Sequence, residues 1–190
     1  KYVYDITDDS DIKVTCQSIN SYKSIRVDFQ NRSSQNYNIE IPCGTYFENG
    51  RTNEQNLVVL FKENTELDSR QRQSVELITA CMDAGKASPS SHSNWDIKND
   101  RALGDLIRFY HTNKSIVSMM TGPEFHSTKQ KQIDFLQMSV WAYFNADKKH
   151  ILNFATKYMF EGNKEQAEFF VDTTLPLIQI FITYYKSLNK

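Results

Sequence analysis

The sequence predicts an α+β chain. An N-terminal antiparallel β-sandwich, immunoglobulin-like, is expected over residues 1–85, a linker over 86–98, and a C-terminal helical bundle, packed against the sandwich, over 99–190. Three observations lead there. Apolar residues in the first half recur with a period of two, as on a half-buried strand. In the second half they recur with a period near 3.6, as on an amphipathic helix. Between the two lies "GKASPSSHSNWDIKN", rich in Ser and Pro.

The strands come first. "YVYDI" opens the chain. "DIKVTCQS" places Ile12, Val14 and Cys16 on one face, and "KSIRVDF" repeats the pattern with Ile25, Val27 and Phe29. "NRSSQN" is a polar turn. "YNIEI", "CGTYFE", "NLVVLF" and "QSVELITAC" complete about seven short strands at roughly ten-residue spacing, which suggests a sandwich. No Trp precedes Trp95, so the Cys-Trp-Cys signature of antibody domains is missing.

The helices follow. "NDRALGDLIRFYHT" spaces Leu103, Leu106, Ile107 and Tyr110 helically, with Asn99 or Asp100 as N-cap. "STKQKQIDFLQMSVWAYFN" carries an apolar stripe of Ile133, Leu136, Val140, Trp141 and Phe144, with Ser127 or Thr128 as cap. "ADKKHILNFATKYMF" is a third helix, stopped by Gly162. "NKEQAEFFVDTTLPLIQIFITYYKSL" is a fourth, which Pro176 is expected to break or kink. Each half holds about 90 residues, a size that is marginal alone. Trp95 is expected to dock the linker onto one half.

Composition narrows the function. The apolar fraction is 39%, the charged fraction 24%, and aromatics reach 13%, which argues against a disordered chain. A net charge of −1 lacks the basic excess that phosphate binding requires, so nucleic acid is not expected as a partner. "LPLIQIFITYY" is about half of the ~20 residues a spanning helix needs, so no membrane span is expected. Residues 1–20 hold no apolar signal core, as in a fragment or a processed chain. The sequons at Asn31 and Asn113 permit glycosylation in a secretory setting.

Candidate chemistry is sparse. "AGKAS" fails as a phosphate loop, because Ala80 and Ala87 stand where Gly and Ser/Thr are needed. His92, His111, His126 and His150 are widely spaced and no C-x-x-C occurs, so neither a metal nor a cofactor is expected. The acidic opening Asp5, Asp8, Asp9 and Asp11 lacks the Gly and distal Glu of a calcium loop. Cys16, Cys43 and Cys81 share the inward parity of their strands, and any pair could face across a sandwich. Gln137 sits on an apolar stripe, where its amide demands a partner.

Two resemblances add to this. The ordered blocks "IPCGTYF", "EQNLVV" and "ACMDAGKASPS" resemble a module of exported or surface-associated proteins in which a sandwich is followed by helices. "CMD" with the distant "LQMSVWAYFN" resembles the Cys and Gln blocks of bacterial surface thioester domains. That resemblance implies an internal thioester between Cys81 and Gln137. The run Leu136-Gln137-Met138-Ser139 departs from that family, whose Gln follows a Thr and precedes x-Ala.

The reading that results is a non-enzymatic interaction module, secreted or at the cell surface, with a protein partner or self-assembly. Its expected contact surface is the polar loop "ENGRTNEQN" with the 83–96 segment: Arg51, Asn53, Gln55, Asp83, Lys86 and Trp95. The alternatives are a covalent adhesin using Cys81 and Gln137, and a hydrolase or transferase between the halves using His92 or His126.

Overall fold

The computed structural model describes residues 1–19, 23–91 and 94–188. The chain divides into two compact units. Lys1–Cys81 with Ala87–Asp105 form the first, and Met82–Lys86 with Leu106–Lys190 form the second.

The first unit is antiparallel β. Its strands are β1 (Ile12–Ser18), β2 (Ser24–Asn31), β3 (Tyr37–Ile41), β4 (Thr45–Asn49), β5 (Leu57–Val59), β6 (Glu63–Leu67), β7 (Arg72–Cys81) and β8 (Trp95–Asn99). Six form one nearly barrel-like sheet in the order β1-β2-β7-β5-β4-β8, and β3 pairs with β6. This six-and-two division differs from the two comparable layers of the expected immunoglobulin-like sandwich. The physical reason lies in β7. Ser24–Gln30 of β2 pair with residues 72–78, while Thr79, Ala80 and Cys81 pair with β5 on its other side. One long strand thus joins what would otherwise be separate sheets.

The period-two pattern sets the register. Val14 faces Phe29 and Cys16 faces Val27 across β1 and β2, while Ile25 faces Leu77 and Val27 faces Val75 across β2 and β7. Ile12, Ile25, Val27, Phe29 and Leu77 are buried.

Three details differ from the expectation. "YVYDI" is a short 3-10 turn at Val3–Asp5 rather than a strand. β6, "ENTEL", is a strand despite its polarity, because only Thr65 and Leu67 face inward. The expected linker contains β8, which pairs with β4 from Thr45↔Asn99 to Asn49↔Trp95.

Helix α1 (Arg101–Thr112) begins in the first unit, and the boundary between units falls inside it. Asp100 caps it, its Oδ1 accepting from the Leu103 N–H at 2.9 Å. Its start is pressed against the chain before β4. A Cβ on Gly104 would stand 2.5 Å from the Cys43 carbonyl oxygen, so only glycine fits.

The second unit is helical: α2 (Lys114–Thr121), a 3-10 turn at Pro123–His126, α3 (Lys129–Tyr143), α4 (Lys148–Phe154), a π turn at Ala155–Met159, and α5 (Lys164–Leu188). Thr128 caps α3 by accepting from the Lys131 N–H. Phe135–Trp141 of α3 are buried without interruption, while Phe144 is exposed. The expected stripe is therefore a helix segment enclosed around its whole circumference, with the polar Gln137 and Ser139 buried among its apolar residues. α5 runs through Pro176 without ending. Proline inside a helix costs about 3 kcal/mol. Burial of Ala167, Val171 and Thr174 before it, and of Ile178, Phe181 and Ile182 after it, holds both halves in register. No described helix is long and apolar enough to cross a membrane.

Candidate functional site

The loop residues named from the sequence are only partly a surface. Arg51 forms an ion pair with Glu54 at 3.3 Å, and the other Glu54 oxygen accepts from Asn49 Nδ2 at 3.1 Å and the Ser90 N–H at 2.9 Å. Gln55 donates its N–H to the Ala87 carbonyl, and Ala87 donates to the Asn53 carbonyl. The loop is therefore stapled to residues 87–90 by one buried carboxylate and a short bridge. Gln55 is fully buried and offers nothing to a partner. Asp83 and Lys86 belong to the second unit, where they close a turn through an ion pair at 3.6 Å and the Gly85 N–H on Asp83 Oδ1. Trp95 is anchored in β8 with its ring edge-on to Phe47, centroids 6.5 Å apart. Its indole N–H has no hydrogen-bond partner among the described residues.

Of the nucleophile candidates, Cys43 and Cys81 are buried and Cys16 is half-buried. None of Cys16, Cys43 and Cys81 is in a disulfide. Cys43 Sγ donates to the Leu60 carbonyl. Burial, helped by the Asp28 carboxylate, pushes the Cys16 thiol up to about 12, so it is a neutral thiol at any ordinary pH. Cys81 ends β7 in the first unit and Gln137 lies in α3 of the second, both buried. A thioester at so enclosed a thiol would meet solution nucleophiles only after an opening. Among the described residues, no group of three or more His, Cys, Asp and Glu could hold a metal.

His92 lies outside the described residues. His126 is buried, with both ring nitrogens engaged: Nδ1 lies 2.9 Å from the Tyr110 hydroxyl and Nε2 lies 2.8 Å from Thr121 Oγ1. Thr121 donates its own proton to the Val117 carbonyl at 2.7 Å. Its oxygen must then accept from Nε2–H, which leaves Nδ1 to accept from Tyr110. This chain fixes a neutral imidazole. Burial, with the Lys114 ammonium, holds it below its usual 6.5 against the pull of Glu124. With no nitrogen left over, His126 is a structural histidine rather than a base awaiting substrate. The Asn31 sequon is closed in the same way. Its Nδ2 donates to the carbonyls of Gln35 and Asp68, and a glycan there is incompatible with the fold.

The site that sequence reasoning missed is on the helical unit. Phe125, Phe160, Phe169 and Phe170, with Asn163, Gln166 and Thr173, line a cavity of about 580 Å3. A second cavity of about 140 Å3 shares Phe125, Phe170 and Thr174 with it and adds Phe135 and Lys131, so the two form one groove. The Phe160 and Phe170 rings pack at 5.3 Å. Phe169 is 75% exposed. Thr174 is fully buried, and its hydroxyl has no hydrogen-bond partner among the described residues. The signal was present in "EFFVDTT". Adjacent helix residues point about 100° apart, so Phe169 and Phe170 cannot both enter the core that Val171 and Thr174 enter. No protein-family model, curated protein or solved structure matches the chain.

Proposed function

We propose that this chain is a non-enzymatic interaction module that docks a protein partner through the aromatic groove of its helical unit. The observation that carries the reading is Phe169. A phenylalanine three-quarters exposed, beside a groove lined by further phenylalanines, is a binding anchor in want of a pocket. The unpartnered Thr174 hydroxyl adds a hydrogen-bonding demand at the groove's floor. The partner supplies an apolar side chain to lie between Phe125 and Phe169 and a polar atom for the rim of Asn163, Gln166 and Thr173. An exported or surface-associated assembly as the setting rests on the resemblance of the blocks Ile41–Phe47, 54–59 and 80–90.

The test is a pair of substitutions on one helix. Ile180 is also exposed on α5 but lies outside the groove lining. Burying a phenylalanine is worth about 1.5–3 kcal/mol, so Phe169→Asp should weaken binding to the native partner by about tenfold to a hundredfold. Ile180→Asp should leave binding within about threefold. Equal losses in both variants, or none in either, would overturn the reading.

A further inference from the structure

The six-stranded sheet ends at β1 and β8, and each has a paired strand on one side only; the turn at Val3–Asp5 lies near β8 without pairing with it. Both edges open onto the same cleft. Its lining takes in Val14, Thr15 and Cys16 of β1 and the unbroken run Asn94 to Lys98 at β8, around about 540 Å3. That consecutive residues line it is informative. A cavity on a sheet face meets only every second residue, because side chains alternate. A cavity met by five residues in succession runs along the strand edge, against the main chain itself. The outward N–H of Ile12 donates to the Asp9 carbonyl, but at Val14 and Cys16 of β1 and at Trp95 and Ile97 of β8 no backbone hydrogen bond among the described residues fills that outer side. An unprotected edge is a template for another strand.

Alternation and charge define what fits. On the inner side the cleft meets Val14, Cys16 and Ile97, all at least partly buried, and on the outer side Thr15 and Asp96, both exposed. The charges at the cleft are Asp8, Asp96 and Lys98, and Lys98 is already paired with Glu48. The side chains of Asp8 and Asp96 have no hydrogen-bond or ion-pair partner among the described residues. The cleft therefore offers two unspent carboxylates above an apolar floor.

We propose that this cleft is a strand-acceptor site, which takes an extended partner segment of alternating apolar and cationic side chains as an added strand. Five antiparallel steps separate β1 from β8, so the two edges run in opposite directions. A single inserted strand pairs antiparallel with one and parallel with the other. Matching the five residues of β8 requires about 17 Å of extended chain. Main-chain bonds supply affinity, and the alternation supplies selectivity. This site is separate from the aromatic groove, and its test does not depend on that reading.

The probe is a short peptide of alternating Val and Lys, titrated into the full chain by calorimetry, with amide hydrogen exchange on the complex. Two control peptides are used: alternating Val and Glu, and the Lys peptide with every second Val replaced by Pro, which keeps the charge and removes backbone donors. The Lys peptide should bind at least about tenfold tighter than either control. It should slow exchange at Val14, Cys16, Trp95 and Ile97, whose N–H groups face away from β2 and β4, and leave β5 unchanged. The Asp96→Lys variant should lose about tenfold in affinity for it. No binding, equal binding of the Pro peptide, or protection on only one of the two strands overturns the proposal. So does light scattering that shows a dimer with β1 and β8 already protected, since a second copy would then be the occupant.

Discussion

Thr121→Val tests the hydrogen-bonded chain at His126 with almost no change of shape. Valine keeps the volume and removes the oxygen that accepts from Nε2–H. The Val117 carbonyl loses the threonine proton but keeps its helical partner four residues on. What remains is a buried N–H without an acceptor, which costs about 1–3 kcal/mol. With a urea dependence of about 1–3 kcal/mol per molar, a loss of 2 kcal/mol moves the midpoint by about 1 M. The chain has two tryptophans, Trp95 in β8 and Trp141 in α3. In a Trp95→Phe background, Trp141 fluorescence follows the helical unit alone. The pH dependence checks the same network. The folded His126 resists protonation below its usual 6.5, whereas the unfolded chain takes up the proton there. The unfolded state then binds more protons, so stability falls as pH drops below about 6.5 and levels off under the folded value. His126→Phe should remove that part of the slope. A Thr121→Val midpoint within about 0.2 M of the parent, or stability that rises as pH falls through this window, would refute the reasoning.

Two further outcomes are expected. Gly104→Ala should destabilise by about 1–3 kcal/mol in urea unfolding, since its Cβ would stand 2.5 Å from the Cys43 carbonyl oxygen. A gain of about 1 kcal/mol, as helix propensity alone predicts, would contradict that close approach. Intact mass spectrometry should return the unmodified mass of the sequence. A deficit of one ammonia would instead assign a thioester to Cys81 and Gln137 and replace the non-enzymatic reading.

The architecture was legible where local chemistry and tertiary demand agree. Alternation at Ile25, Val27 and Phe29 set β2, and the caps Asp100 and Thr128 marked two helix starts. β6 was hidden because three of its five residues are solvent-facing polar ones. β8 was hidden because Ser- and Pro-rich neighbours made "WDIKN" look like linker. Its alternation of Trp95 and Ile97 becomes meaningful only against β4. Pro176 misled in the opposite sense: propensity argued for a break, and burial on both sides of it prevailed. α2 was passed over because its exposed Ile116 and Met119 blur the apolar stripe. For the candidate site, polarity pointed to the 51–55 loop. That loop uses its polar groups on itself, through Glu54. The phenylalanines of α5 were not singled out in the sequence, although Phe169 is largely exposed.

The most direct measurement of the central claim is photo-crosslinking from position 169. A benzophenone amino acid is placed there in the full chain, and the same label at position 180 serves as control. Exposed to the native source, the label at 169 should yield one dominant protein adduct. Excess unlabelled parent should suppress that adduct, and excess Phe169→Asp should not. Equal labelling from 169 and 180, or an adduct that Phe169→Asp suppresses as well as the parent does, would contradict the account.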